Sequence, residues 1–144
     1  MARFLTREEE QRVIEAIRLA EAKTSGEIRV HVQKRVSGGD IMHAAKHRFD
    51  KLGMSRTELR NGVLIFVATD DRELAIIGDK GINELVQESF WDDTVNVILG
   101  HFKAKDFIGG IVAGIETAGK ALQEYFPRKK DDKNELSDEV SFEA

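Results

Sequence analysis

The stretch from residue 63 to residue 77 decides the fold of this 144-residue chain. It consists of the apolar run Val63–Ala68, the polar break Thr69–Arg72 and, after Glu73, the apolar run Leu74–Ile77. A continuous apolar run such as the first is typical of a central strand that is covered on both faces. Because so few residues separate the two runs, only an antiparallel hairpin can join them.

The residues before this hairpin predict one more strand and two helices. Residues 28–33 alternate between apolar and polar side chains, which indicates a strand with one buried face. A helix precedes it, opened by the capping-box sequence Thr6–Glu9 and ending near the turn formers 24–26. A second helix runs from its cap at Asp40 to about Leu52.

The residues after the hairpin predict further helices and a charged tail. Helical spacing extends from Ile82 to about Gly100, in one piece or two, and the last helix runs from residue 106 or 107 to Tyr125. We expect a single domain over residues 1–127 and a mobile or loosely docked tail over residues 128–144.

The order of these elements predicts the fold class. A strand–helix–strand crossover is right-handed in nearly all proteins, so the first two strands should be parallel and the third antiparallel. We therefore expect an α/β fold, a three-layer α/β/α sandwich in which helices cover both faces of a small mixed sheet.

Composition excludes several classes of protein. The chain has no cysteine, which excludes disulfides, zinc–thiolate sites and cysteine nucleophiles. Its net charge of −4 is unlike that of a nucleic-acid binder. Residues 1–10 have no apolar signal region, and the apolar stretch 107–115 is far shorter than the ~20 residues of a membrane span, so we expect a cytoplasmic protein. Phosphate-loop, dinucleotide and hydrolase-elbow motifs are absent from the sequence.

The histidines are weak candidates for a site. His43 and His47 stand four residues apart on a helix, a spacing that can hold zinc, but no third ligand is evident nearby. Two solvated histidines are the simpler interpretation. His31 alternates with core-facing residues of its strand and needs no role.

The carboxylates carry more information. Glu27 and Asn61 precede two parallel strands and Asp79 follows an antiparallel one, so all three should lie at one end of the sheet. The helix after Asp79 could bring Asp92 and Asp93 back over this end. Converging carboxylates repel one another unless a proton or cation bridges them, and hard oxygen ligands suit calcium or magnesium. Spacing alone leaves a cation site and a set of separate surface acids equally open.

Several segments, taken in order, resemble the TPM domain family in its short, stand-alone bacterial branch. They are residues 24–28 (TSGEI), 60–65 (RNGVLI), 76–83 (IIGDKGIN), 90–92 (FWD), 101–103 (HFK) and 134–142 (NELSDEVSF). The resemblance implies an α/β/α sandwich. It also implies a divalent cation in an acidic groove, at positions that match Glu27, Asp79 and Asp92, with Asn61 nearby. Some members from the thylakoid lumen are described as acid phosphatases, and others as non-enzymatic partners of membrane proteins.

These observations support three functional hypotheses. The first is a binding or regulatory module that holds calcium or magnesium in the acidic groove. The second is a metal-dependent phosphatase acting on phosphomonoesters, in which Arg60 and Lys80 would neutralise phosphate and Thr57 or Ser25 would offer a hydroxyl. The third is a metal-free interaction module that binds an unknown protein through the tail or the last helix. We favour the first because the sequence shows no dedicated nucleophile.

Overall fold

The computed structural model describes residues 5–36, 38–128 and 140–143. The helices are α1 (Arg7–Glu21), α2 (Ile41–Lys51), α3 (Lys80–Asn83), α4 (Phe90–Lys103) and α5 (Phe107–Tyr125), with a 3₁₀ turn at Met54–Arg56. The strands are β1 (Glu27–Gln33), β2 (Gly62–Ala68), β3 (Glu73–Gly78) and β4 (Ser141–Glu143).

These strands form one mixed sheet in the order β3-β2-β1-β4. β1 pairs with β2 in parallel and β2 pairs with β3 antiparallel, as predicted. The main core packs α1, α4 and α5 against one face of the sheet, and a smaller core packs α2 and the 3₁₀ turn against the other. The predicted three-layer α/β/α sandwich is confirmed.

Local sequence signals place the helix ends. Thr6 Oγ1 accepts a hydrogen bond from the Glu9 backbone N–H at 3.1 Å, and Glu9 Oε1 accepts one from the Thr6 N–H at 2.9 Å. Asp40 caps α2 through a bond from the His43 N–H, and Gly53 follows α2 in the left-handed region that glycine favours. In the residues described, no helix is both long and apolar enough to cross a membrane.

The fourth strand was not predicted. Residues 141–143 lie within the segment interpreted as a tail, yet they pair in parallel with His31–Gln33 of β1. Val140, just before β4, is 6% exposed and belongs to the main core. Residues 140–143 are therefore part of the folded domain. The predicted tail residues 129–139 lie outside the described part, and the boundary at residue 127 stays a prediction.

Candidate functional site

The start of β1, the start of β2 and the end of β3 meet at one edge of the sheet. Glu27 is paired with Gly62 across β1 and β2, and its N–H donates to the Asn61 carbonyl at 3.4 Å. The Asp79 N–H donates to the Gly62 carbonyl at 2.8 Å. The backbone thus links Glu27, Asn61 and Asp79 at a single edge.

Glu27 and Asp79 occupy the two ends of one cross-strand row. Val63 is paired with Gly78, so continuing that register by one position puts Asp79 opposite Gly62. Strand alternation then puts Glu27 and Asp79 on the same face, with glycine between them and their Cα atoms about 10 Å apart, two strand spacings. A Cβ on Gly62 would lie 3.1 Å from the Met54 carbonyl oxygen, so the 3₁₀ turn closes over this gap.

Asp79 is a buried carboxylate that forms an ion pair with Arg60. Its side chain is 6% exposed, and it accepts from Arg60 Nε at 2.7 Å and Arg60 Nη2 at 2.9 Å. It also caps α3 by accepting from the Lys80 N–H at 2.8 Å. The hydrogen bonds and negative charge of Asp79 raise the pKa of the Arg60 guanidinium. Arg60 itself has a φ of 53°, in the left-handed region that few residues adopt.

Asn61 is the buried amide of this edge. It is 1% exposed, and its Nδ2 donates to Ser25 Oγ at 3.4 Å. Its backbone N–H donates to the buried Thr57 hydroxyl at 3.2 Å. Asn61 Oδ1 is enclosed and has no hydrogen-bond partner among the described residues. Buried polar atoms are nearly always satisfied, so this oxygen is an acceptor in need of a donor or a cation.

The acidic residues of α4 are exposed to solvent. Asp92 and Asp93 are exposed in its first turn, and Asp93 accepts from Ser89 Oγ at 3.3 Å. The helix is anchored to the site edge by Trp91 Nε1, which donates to Asn83 Oδ1 at 2.7 Å. Asn83 Nδ2 in turn donates to the last carbonyl of β3 at 2.8 Å.

The donor set fits a cation only in part. Within residues 5–36, 38–128 and 140–143, no group of three or more His, Asp or Glu side chains is arranged to hold a metal ion. Arg60 already neutralises Asp79. The buried carboxylates of Glu27 and Asp79 and the enclosed Oδ1 of Asn61 are the oxygen ligands that a hard cation prefers.

Sequence reasoning missed a second polar cluster, on the α2 face. His31 is fully buried, with Nδ1 3.0 Å from Ser141 Oγ and Nε2 2.8 Å from Gln33 Oε1. Arg48 of α2 donates to Glu143 of β4. Burial is the main cause that lowers the pKa of His31 to about 4. The alternation of β1 predicted His31 on the face opposite the core-facing residues, and no signal in the sequence indicated that β4 would pair with this strand.

The predicted histidine pair lies beside this cluster. His43 and His47 are exposed and line a cavity of about 340 Å³ together with Arg48, Lys51 and Glu143. Among the residues described, no third His, Asp or Glu side chain is placed to complete a metal site with this pair.

A comparison with known protein families identifies the family of this chain. The TPM domain matches residues 1–121. The chain belongs to the TPM domain family. The resemblance drawn from the sequence segments is therefore confirmed, while calcium, magnesium and phosphatase activity stay predictions.

Several solved structures of bacterial proteins are similar to this TPM domain. The NMR structure of BA42 from the psychrophilic bacterium Bizionia argentinensis is 50% identical, with a TM-score of 0.91, over 99% of this chain and 98% of that one. The N-terminal domain of cg2496 from Corynebacterium glutamicum is 17% identical, with a TM-score of 0.66, over 83% of this chain and 74% of that one.

A third structure shows the same fold at similarly low identity. The N-terminal domain of a protein from P. gingivalis is 15% identical, with a TM-score of 0.72, over 87% of this chain and 82% of that one. The matches to the C. glutamicum and P. gingivalis domains show the fold alone. No curated protein matches the chain significantly.

Proposed function

We propose that this TPM domain binds a divalent cation, calcium or magnesium, at the sheet edge formed by Glu27, Asn61 and Asp79. The observation that carries the proposal is the enclosed Asn61 Oδ1, which lacks a hydrogen-bond partner in the described part of the chain. Leaving such an acceptor unsatisfied costs about 1–3 kcal/mol. A hard cation would satisfy it, and carbonyl oxygens are common calcium ligands.

The carboxylates supply the charge that such a cation needs. Glu27 and Asp79 are 2% and 6% exposed and face the same side of the sheet. Asp92 and Asp93 are exposed acids of α4 that would attract a cation toward this edge.

Arg60 is the competitor that a cation must displace from Asp79. Its side chain is 47% exposed, so the guanidinium can turn into solvent without crossing the core. Binding of the metal and release of Arg60 would then be coupled, and this coupling fits a regulatory module better than a constitutive metal site.

A residue-resolved titration tests the proposal. Calcium and magnesium would be added separately to ¹⁵N-labelled, metal-free protein, and amide shifts would be followed by NMR. We expect saturable shifts centred on residues 25–27, 60–62 and 78–80, weakened by Asn61→Ala and by Glu27→Gln. Asp50→Asn, which removes an exposed acid from α2, is the matched control. Shifts spread over the surface acids, or unchanged in both variants, would overturn the proposal.

The phosphatase alternative draws less support from the geometry. The Thr57 hydroxyl is buried and accepts from the Asn61 N–H, and the Arg60 guanidinium is engaged by Asp79. Hydrolysis of p-nitrophenyl phosphate by metal-loaded protein, lost in Asp79→Asn and on chelation, would favour this alternative over the binding module.

A further inference from the structure

A cavity of about 580 Å³ lies at the opposite edge of the sheet from the proposed cation site. Its floor is the end of β2, residues 67–69, and its sides are the β2–β3 turn and the connection between α4 and α5. Ligand pockets typically enclose about 300–1,000 Å³. In open α/β sheets, ligands bind outside the carboxyl ends of the parallel strands, which is where this cavity opens.

The walls of this cavity are apolar and aromatic. Leu99 and Phe102 come from α4 and Phe107 from the first turn of α5. The rings of Phe102 and Phe107 stack with centroids 4.9 Å apart at an interplanar angle of 23°. All three side chains are partly exposed, so apolar surface remains open to a ligand.

The rim of the cavity is purely cationic. Arg72, Lys103 and Lys105 line it, and no carboxylate does. None of the three forms an ion pair with any residue described in the structure. Three acids near these cations in sequence have other partners: Asp70 pairs with Arg35 at 3.5 Å, Asp71 accepts from the Val36 N–H at 3.0 Å, and Asp106 pairs with His101 at 3.1 Å.

Another groove of the molecule lacks this charge pattern. A space of about 450 Å³ between α1 and α5 is lined by both signs, with Glu15 and Glu116 beside Arg12 and Lys120. Of these two spaces, only the cavity at the end of β2 has a charge pattern that favours a negatively charged ligand.

The backbone at the rim supports a role for its cations. Arg72 and Lys105 have φ values of 55° and 63°, in the left-handed region where glycine is the favoured residue. At both positions the chain carries a long cationic side chain instead, and both side chains line the same cavity. Strained backbone that persists in spite of its cost is a recognised mark of functional positions.

We propose that this cavity binds an amphiphilic carboxylate, a single-chain fatty acid of medium length. The acyl chain lies against the Phe102–Phe107 stack, and the carboxylate lies at the rim, where Arg72, Lys103 and Lys105 neutralise it. Charge complementarity and apolar walls together define this class of ligand, since a neutral lipid would leave the rim unpaired and a polar anion would leave the aromatic wall exposed.

The test uses decanoate, kept below its micelle-forming concentration, added to the ¹⁵N-labelled protein. We expect saturable amide shifts confined to residues 67–72 and 99–107. The double variant Arg72→Gly/Lys105→Gly removes two cations while keeping backbone conformations that glycine adopts without strain. We expect it to fold as the parent does and to bind decanoate at least tenfold more weakly. Lys120→Ala, which removes one cation from the mixed-charge groove, should bind like the parent protein.

Two further ligands separate the contribution of charge from that of the apolar chain. Decanol, which is neutral, should bind at least tenfold more weakly than decanoate, and decyltrimethylammonium should not shift these residues. The proposal is overturned by decanoate shifts elsewhere on the surface, by equal binding of decanol, or by a double variant that binds decanoate as tightly as the parent protein.

Discussion

Arg60 donates two hydrogen bonds to the carboxylate of Asp79, from Nε at 2.7 Å and from Nη2 at 2.9 Å. Asp79 is buried at the sheet edge, and Arg60 reaches it from a left-handed backbone position. A paired geometry of this kind is among the stronger hydrogen-bonding arrangements in proteins. The buried carboxylate of Asp79 is thus neutralised by the chain itself, and any added cation competes with Arg60.

Replacing Arg60 by glycine should therefore strengthen cation binding. Arg60→Gly removes the competing guanidinium and suits the φ of 53° at this position. We expect calcium affinity, measured by isothermal titration calorimetry, to rise severalfold. Arg35→Ala, which removes the partner of the exposed Asp70 at the far end of the sheet, should leave calcium affinity unchanged. A lower or unchanged affinity in Arg60→Gly would show that Asp79 is not a ligand.

Most of the fold could be predicted because a local sequence pattern identifies most of its helices and strands. The apolar run Val63–Ala68 matches a strand that is buried at every position. The alternation of residues 28–33 correctly predicted a strand, but its prediction of a single buried face was wrong, because β1 lies between β2 and β4 and only Arg29 in it is not buried. β4 carries no such signal: it is three residues long and sits in a charge-rich segment. Its place beside β1 depends on Val140 entering a core formed by distant residues.

Only the part of the site that follows from strand order and direction could be predicted from the sequence. Strand direction brought Glu27, Asn61 and Asp79 to one edge, because strand starts and ends are fixed by the order of elements. The ion pair of Asp79 with Arg60 depends on a left-handed residue, and nothing in the sequence marks an arginine for that conformation. Long-range side-chain pairing of this kind needs the folded backbone.

A pair of glycine variants tests the backbone that supports this edge. A Cβ at Gly81 would lie 2.2 Å from the Leu59 carbonyl oxygen and 2.6 Å from that of Arg60, so the backbone must shift to accept it. We expect Gly81→Ala to lower the free energy of unfolding by at least ~2 kcal/mol. Gly100 in α4 has nothing within 4 Å of its added Cβ, so Gly100→Ala should raise it by about 0.5–1 kcal/mol. Urea unfolding measures both, and a neutral Gly81→Ala would contradict the close approach.

The end of the chain should contribute measurably to stability. Val140 is 6% exposed in the main core, and full burial of a valine stabilises by about 1.5–3 kcal/mol. We expect Val140→Ser to lose about 2 kcal/mol in urea unfolding and to speed amide exchange in β1 at residues 31–33. Val97→Ser makes the same change on α4 at a side chain that is 50% exposed, and should lose far less. Equal losses in the two variants would argue against docking of β4.

His31 should make the protein less stable as the pH falls. Its pKa is lowered from 6.5 to about 4, first by burial and then by the nearby charges of Arg48 and Arg29, against the opposing effects of Gln33 and Glu143. The unfolded chain therefore binds more protons than the folded one between these two values. The contribution of His31 to the free energy of unfolding is therefore fully present above pH 6.5. It declines toward pH 4, by up to about 1.4 kcal/mol per pH unit.

The variant His31→Gln isolates this effect from that of the carboxylates. Glutamine does not titrate, and its amide can still bond to Gln33 and Ser141, the present partners of the imidazole. Comparing urea unfolding at pH 7 and pH 4.5, we expect the parent protein to lose about 2–3 kcal/mol more than His31→Gln. The exposed His47→Gln should behave as the parent does. If His31→Gln loses as much stability as the parent over this range, the acid sensitivity arises from groups other than the His31 imidazole.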